Sequence, residues 1–165
     1  MPRITFALAT MLSFMAFTPV AAQDLQKGLD AFNAGDYATA LQEWRPLAEQ
    51  GNANAQFNLG FMYYNGKGVP QDYAEAFKWW RLAAEQGDAI AQSNLGSLYE
   101  YGQGVLQDNV MAHMWYNLAA ANGMKLAGEN RDKLAKKMSN TAIEKAQAMA
   151  RECMDSGYTK CGDLG

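Results

Sequence analysis

Few residues in this chain carry the side chains from which catalytic or metal sites are built. Its 165 residues include a single histidine, His113, and two cysteines. Nucleophilic catalysis needs a nucleophile, a base and a group that orients the base, and the sequence pairs no serine or cysteine with His113. We therefore predict that the chain is not an enzyme, needs no cofactor and holds no metal ion.

Phosphate-binding and nucleic-acid-binding functions are also disfavoured by the sequence. Residues 66–69 read Gly-Lys-Gly-Val, which is glycine-rich but lacks the pattern of a phosphate-binding P-loop. The chain has 14 basic and 17 acidic side chains, without a cluster of lysine and arginine. A nucleic-acid partner would require such a cluster to neutralise its phosphates, so we predict no nucleic-acid binding.

The amino terminus has the three-part pattern of a secretory signal peptide. Arg3 supplies a positive start, residues 4–17 are mostly apolar and uncharged, and the small residues 20–22 precede Gln23. The apolar run is shorter than the roughly 20 residues that a membrane-spanning helix needs. We predict that residues 1–22 are removed, that the mature chain is periplasmic or secreted, and that it makes no stable membrane insertion. An uncleaved anchor is the alternative.

The two cysteines lie near the carboxyl terminus, at Cys153 and Cys161. In an exported protein such a pair is typical of one disulfide. A continuous helix would hold their Cα atoms about 12 Å apart, whereas a disulfide needs roughly 7 Å or less. We therefore expect Gly157 to end the last helix, so that the tail at 157–165 folds back and is linked to it. A redox pair or a two-thiol metal site is the alternative, although the spacing is not Cys-x-x-Cys and no histidine is near.

The elements that position these residues follow from an internal repeat. Residues 52–87 and 88–123 match at 18 of 36 positions, where chance would give about two. Residues 36–51 form part of a further copy, and the flanking segments are degenerate, as the end units of a stack usually are. We expect one repeat domain over residues 23–156, with units at about 24–51, 52–87, 88–123 and 124–156.

Each unit is predicted to be a pair of helices. Pro70 stops the chain from continuing as a helix after the glycine loop, and Asp72 can cap the second helix, with Glu75 completing a capping box. Gly87 suits the left-handed position after a helix end, and Asp88 can cap the next helix at once. The turn between units is therefore tight, and neighbouring units must pack side by side.

These motifs resemble the Sel-one-like repeat family, the longer relatives of the tetratricopeptide repeat. The resemblance is carried by Asn-Ala-Gln-Phe-Asn-Leu-Gly at 54–60, by Gly-Lys-Gly-Val-Pro-Gln-Asp-Tyr at 66–73, and by residues 76–84. It covers residues 36–123 well and the flanks weakly, and in the next unit Leu106 replaces the proline of the loop. The resemblance implies an all-α, right-handed α-solenoid of about four helical hairpins and a role as scaffold or adaptor for another protein or peptide.

Two other functions stay open at this point. A cysteine-rich secreted branch that resembles this chain suggests a hydrolase or penicillin-binding activity, but it has a cysteine pair in most repeats, whereas this chain has one pair in all. A purely structural role in the cell envelope is the other alternative.

Comparison of the two central units indicates which positions vary on the first helix. Positions 54, 57, 61 and 64 are spaced as one helical face, and the resemblance implies that first helices line the concave surface of the solenoid. The predicted partner-binding residues are Asn54, Phe57, Phe61, Tyr64, Ile90, Glu100 and Tyr101. The alternative for Phe57 and Phe61 is that they pack against the first hairpin, whose helix offers Leu25, Leu29 and Phe32.

The second helices vary too. The side chains at Glu75 and Lys78 become Met111 and Met114 in the next unit, which is expected either beneath the terminal unit or at a contact. His113 occupies the position of a phenylalanine, so that position need not be polar. Acidic residues such as Glu43 are expected on solvated helix surfaces.

Overall fold

The computed structural model describes residues 24–162, and the regular structure within them is α-helical throughout. The helices are α1 (Leu25–Asn33), α2 (Tyr37–Glu49), α3 (Ala53–Asn65), α4 (Tyr73–Ala84), α5 (Ala89–Tyr101), α6 (Asn109–Ala121), α7 (Lys125–Ala135) and α8 (Asn140–Asp155). The first six pair in order as hairpins, and α2 and α4 also pack against the first helix of the following unit. The described chain is therefore an α-solenoid, as the repeats predict.

The last two helices depart from the repeated hairpin. Both α7 and α8 pack mainly on α6 rather than on each other. The end of the stack is thus closed by two helices laid against the last regular unit, which agrees with the degenerate sequence of this segment.

Polar caps set the helix starts as the sequence predicts. The Asp72 side chain accepts hydrogen bonds from two backbone N–H groups in the first turn of α4, at 2.9 and 3.0 Å, and Asp88 caps α5. The predicted capping box is only half formed, because the Asp72 N–H donates to the carbonyl oxygen of Tyr63. The Glu75 carboxylate forms an ion pair with Lys78 instead.

In each of the three regular hairpins, a glycine of the first helix packs against an aromatic ring from the second helix. A β-carbon at Gly60 would lie 2.3 Å from the ring of Trp80, and the Trp80 Nε1–H donates to the carbonyl oxygen of Phe57 at 3.1 Å. Gly28 and Trp44 repeat this arrangement in the first hairpin. Only a residue without a side chain allows the helices to approach this closely.

Hydrogen bonds and close backbone contacts join one unit to the next. The Gln56 side chain donates to the carbonyl oxygen of Ala48 in the preceding helix at 3.0 Å, and Gln92 does the same one unit later. Gly104 has a φ of 69°, and a β-carbon there would lie 2.3 Å from the carbonyl carbon of Tyr73. The glycine loop therefore packs on the start of the preceding unit's second helix, which fixes the offset between units.

The carboxyl-terminal tail folds back as the cysteine spacing predicts. Helix α8 ends at Asp155, Gly157 adopts a φ of 64°, and Cys153 and Cys161 form a disulfide with their Cα atoms 4.5 Å apart. Both cysteines are buried in the same core cluster as α6. The tail thereby seals the end of the stack.

Three residues of the second helices, Met111, Met114 and Glu43, are all buried in the structure. Met111 and Met114 are both fully buried, and the Met111 side chain packs under the tail at Gly162. Glu43 was expected on a solvated surface, and this is wrong. It is largely buried, accepts a hydrogen bond from the Asp24 N–H at 3.1 Å and pairs with Lys27, so it ties α1 to α2.

Candidate binding groove

Three adjacent cavities run across the first helices of the stack. The first, of about 220 Å³, lies between α1 and α3, the second, of about 170 Å³, between α3 and α5, and the third, of about 470 Å³, between α5 and α7. Phe61 lines the first and second cavities, and Asn94 and Ser97 line the second and third. The cavities are therefore continuous, and we call the row the first-helix groove.

The aromatic residues that pack against the helix glycines also line the groove. Trp44 lines the first cavity, Trp80 the second and Tyr116 the third, and all three are buried. The Tyr116 hydroxyl donates to Oε2 of Glu100 at 3.0 Å. Burial, with a further contribution from Glu100, raises the pKa of Tyr116 far above its usual range, so its hydroxyl stays protonated. The repeat thus supplies the groove with a regular, rigid base.

The amino-terminal part of the groove is aromatic. The rings of Phe32 and Phe61 meet edge to face with centroids 5.9 Å apart, and the Tyr64 ring lies 5.1 Å from that of Trp80. Phe61 is nevertheless 38% exposed, and Leu29 beside it is 40% exposed. Phe61 therefore packs on the first hairpin and also presents apolar surface to solvent.

The carboxyl-terminal part of the groove is polar and cationic. The exposed side chains of Lys133 in α7 and of Lys137 in the turn that follows it line the third cavity, and Tyr101 and Leu126 provide exposed apolar surface beside them. Glu100 is the acidic residue of this cavity, and its carboxylate accepts the hydrogen bond from the Tyr116 hydroxyl. The groove therefore changes character along its length, from aromatic at α1 and α3 to positively charged at α7.

Most of the partner-binding residues predicted from the sequence lie along this groove. Phe57 is half-buried and lines the first cavity, Phe61 and Tyr64 line the second, and Glu100 and Tyr101 line the third. Asn54 and Ile90 lie in the first turns of α3 and α5 and are exposed, but they are not among the residues that line the three cavities.

Sequence reasoning missed groove residues at both ends of the stack. Leu29 and Phe32 occupy the positions in α1 that correspond to Phe61 and Tyr64, and the signal that shows this is Gly28. It lies 32 residues before its equivalent, because the first unit has a shorter connection. The residues that α7 and the turn after it contribute had no such signal, since their unit lacks the repeated motif. These residues are Leu126, Asn130, Lys133 and Lys137.

His113, the residue considered above as a possible catalytic base, lies in the core and does not line the groove. It is 2% exposed, and its Nδ1 atom has no hydrogen-bond partner within residues 24–162. Burial lowers the pKa of His113 below its ordinary value of 6.5, the positive charge of Arg131 lowers it further, and Asp132 has the opposite effect. The side chain is therefore neutral near pH 7 and fills the place that Phe77 has in the preceding unit.

The described part of the chain contains neither a metal-binding cluster nor a membrane-spanning helix. Between Asp24 and Gly162, the structure has no group of three or more histidine, cysteine or acidic residues arranged to hold a metal ion. None of the helices in the same stretch is both long enough and apolar enough to span a membrane.

Comparison with known proteins identifies the repeat. The family model for the Sel1 repeat matches residues 53–88 and 89–124. Comparison with the curated proteins gives no match. A protective antigen of uropathogenic Escherichia coli strains with an SLR fold is 34% identical over 84% of this chain, with a TM-score of 0.74. This chain spans only 31% of the length of that antigen.

A second solved protein matches this chain along almost the whole of that protein's length. The Sel1 repeat protein from Oxalobacter formigenes is 33% identical, with a TM-score of 0.57, and the match covers 67% of this chain and 98% of that one. The repeated helix pairs, the matched family model and this shared identity have one explanation: the chain belongs to the Sel1 repeat family.

Proposed function

We propose that this protein is an exported, non-catalytic scaffold that binds another protein or a peptide in the first-helix groove. The observation that carries the proposal is the distribution of exposed apolar side chains. Within residues 24–162 seven large apolar side chains are exposed, and five of them lie on first helices. These five are Leu29, Phe61, Ile90, Tyr101 and Leu126. All of them except Ile90 line the first-helix groove, and exposed apolar side chains gathered along one groove mark an interaction site.

The composition of the groove also suits protein recognition. Aromatic side chains offer a large contact area at a low cost in conformational entropy, and they are enriched among the residues that dominate binding energy. Phe61 and Tyr64 are held by rings behind them, at centroid distances of 5.9 and 5.1 Å from Phe32 and Trp80. The surface is therefore largely ordered before a partner arrives, which lowers the cost of binding.

Phe61 gives the direct test of this proposal. A partner is first recovered by crosslinking in intact cells. Its binding affinity is then measured for the unaltered protein and for the Phe61→Ala variant. We expect a loss of at least ~2 kcal/mol of binding free energy. The loss of stability should stay below the ~3–5 kcal/mol typical of a buried phenylalanine, since Phe61 is partly exposed.

Leu82→Ala is the matched control. Leu82 is 39% exposed, almost as much as Phe61, but it lies on the second helix α4. The Leu82→Ala substitution should leave the affinity for the partner unchanged. Equal affinities of the Phe61→Ala variant and the unaltered protein would reject the groove as the binding site.

Export rests on the amino-terminal pattern and on the buried disulfide. Residues 1–22 carry the signal-peptide pattern, and disulfides persist in oxidising compartments. We expect protein isolated from the cell envelope to begin at Gln23 and to contain no free thiol at Cys153 or Cys161. Amino-terminal sequencing and thiol labelling before reduction measure both. Full-length, cytoplasmic protein with two reactive thiols would refute export.

A further inference from the structure

We infer that the occupant of the first-helix groove is an extended peptide segment with an apolar half and an acidic half. The apolar half lies against α1 and α3, and the acidic half lies against Lys133 of α7 and Lys137 of the turn that follows it. This inference rests on the proposed function and adds to it the chemistry and the polarity of the ligand.

The charge distribution along the groove carries the argument. The first two cavities are lined by apolar, aromatic, amide and hydroxyl side chains, without lysine, arginine or a carboxylate. The third cavity has two ammonium groups, from Lys133 and Lys137, and one carboxylate, from Glu100. This local positive excess occurs in a chain whose formal net charge is −3.

The two ammonium groups are available to a ligand. Neither Lys133 nor Lys137 has an ion-pair partner within the described residues, and both side chains are exposed. Glu100, the nearest acidic groove residue, is engaged by the Tyr116 hydroxyl at 3.0 Å. By contrast Arg131, which shares α7 with Lys133, is already bound to Asp132 and Asn117. The groove therefore presents unpaired positive charge at one end only.

Hydrogen-bonding groups continue this polar end. The amides of Asn94 and Asn130 and the hydroxyl of Ser97 line the third cavity beside the lysines. Amide and ammonium groups that converge on one cavity suit carboxylates, which accept several hydrogen bonds at once. Aspartate or glutamate side chains, or a terminal carboxylate, meet this requirement.

The span of the groove gives the length of the segment. Directly packed helices lie about 8–10 Å apart, and successive first helices, which are not among the closely packed pairs, are separated by at least this distance. Three steps from α1 to α7 therefore cover roughly 30 Å. An extended chain advances about 3.3 Å per residue, so about nine residues reach from the aromatic end to the lysines. A short linear segment of a protein partner is long enough to contact both ends.

A peptide display library of random twelve-residue sequences tests the inference with the purified protein. We expect selected peptides to carry apolar or aromatic residues in one half and aspartate or glutamate in the other. For one such peptide, replacing its acidic residues by their amides should weaken binding about fivefold at ~50 mM salt, as expected for two exposed ion pairs. Raising the salt concentration should reduce that difference, because exposed charges are screened.

A double substitution locates the acidic end. Lys133→Gln with Lys137→Gln should weaken binding of the acidic peptide about fivefold and leave the affinity of its amide version unchanged. The control is Lys125→Gln with Lys145→Gln, which removes the same charge from exposed positions that do not line the groove cavities. The control protein should bind both peptides as the unaltered protein does.

The outcomes separate this inference from the proposed function. If Phe61→Ala abolishes binding but the Lys133 and Lys137 substitutions change nothing, the groove is a binding site and the acidic polarity is wrong. If no peptide is selected, or Phe61→Ala binds normally, both proposals fail. Sedimentation of the unaltered protein and of the double lysine variant tests for self-association. If the unaltered protein self-associates and the double variant does not, a second copy of the chain occupies the groove and the inference is wrong.

Discussion

His113 is the residue whose protonation the fold opposes most clearly. Its buried imidazole has a lowered pKa, so the folded protein binds its proton less readily than the unfolded chain does. The contribution of neutral, buried His113 to the free energy of unfolding is therefore fully present above the ordinary pKa of 6.5, and it decreases as the pH falls below that value. Glu43, whose pKa is lowered from 4.5 by Lys27, titrates only at more acidic pH.

We predict that the free energy of unfolding falls between pH 7.5 and 5.5, and that His113→Phe removes most of this fall. Phenylalanine is the residue that the preceding unit has at the equivalent position, Phe77, so the variant should keep the packing. Urea titrations at three pH values measure both proteins. The same pH dependence in the variant and in the unaltered protein would contradict this assignment.

At the scale of the helix, the packing of an aromatic ring on a glycine restricts that position to a residue without a side chain. A β-carbon at Gly60 would lie 2.3 Å from the Trp80 ring, which is itself buried. We predict that Gly60→Ala lowers the free energy of unfolding by about 1–3 kcal/mol, since excess volume in a packed core forces neighbours to move. Urea denaturation measures the change.

Gly128→Ala is the matched control within another helix. A β-carbon there would meet only the Ala120 side chain, at an ordinary contact distance of 3.6 Å. Alanine is favoured over glycine inside helices by up to about 1 kcal/mol, so this variant should be neutral or more stable. A loss of stability as large as that of Gly60→Ala would show that the ring contact is not the cause.

The element-scale features that the sequence predicts are those with a local physical signature. Caps such as Asp72 and Asp88 and the glycine after a helix end depend on neighbouring residues alone. The glycine loop keeps its conformation even where Leu106 replaces Pro70, since Gly102 and Gly104 have nearly the same φ values as their equivalents. Contacts between helices were harder to predict, and the burial of Glu43 between α1 and α2 had no local signature.

At the scale of the whole molecule, the repeat predicts the solenoid, because each unit must bury its faces against its neighbours. The groove could be predicted only where units can be compared. Variation between the two central units indicated Phe61 and Tyr101, which lie along the groove. Lys133 and Lys137 could not be found this way, since their unit has no aligned partner and packs differently on α6.

The same stacking predicts how the molecule opens. The buried core forms two clusters, one from Ala40 to Trp79 and one from Trp80 to Cys161, and α1 packs almost wholly on α2. In a stack held by contacts between neighbours, an end unit can open while the rest stays folded. We predict that amides of α1 exchange with solvent hydrogen at a lower free energy than amides of α5 and α6.

Two equivalent substitutions test this order of opening. A β-carbon at Gly28 would lie 2.2 Å from Trp44, and one at Gly96 would lie 2.6 Å from Tyr116. Gly96→Ala should reduce hydrogen-exchange protection in α5 and α6 and leave α1 and α2 nearly unchanged, because opening of the first hairpin leaves the second cluster folded. Gly28→Ala should reduce protection in α1 and α2, and also in every helix that exchanges only through global unfolding. If Gly96→Ala lowers protection equally in all helices, the stack unfolds as one cooperative unit and the two-cluster description is wrong.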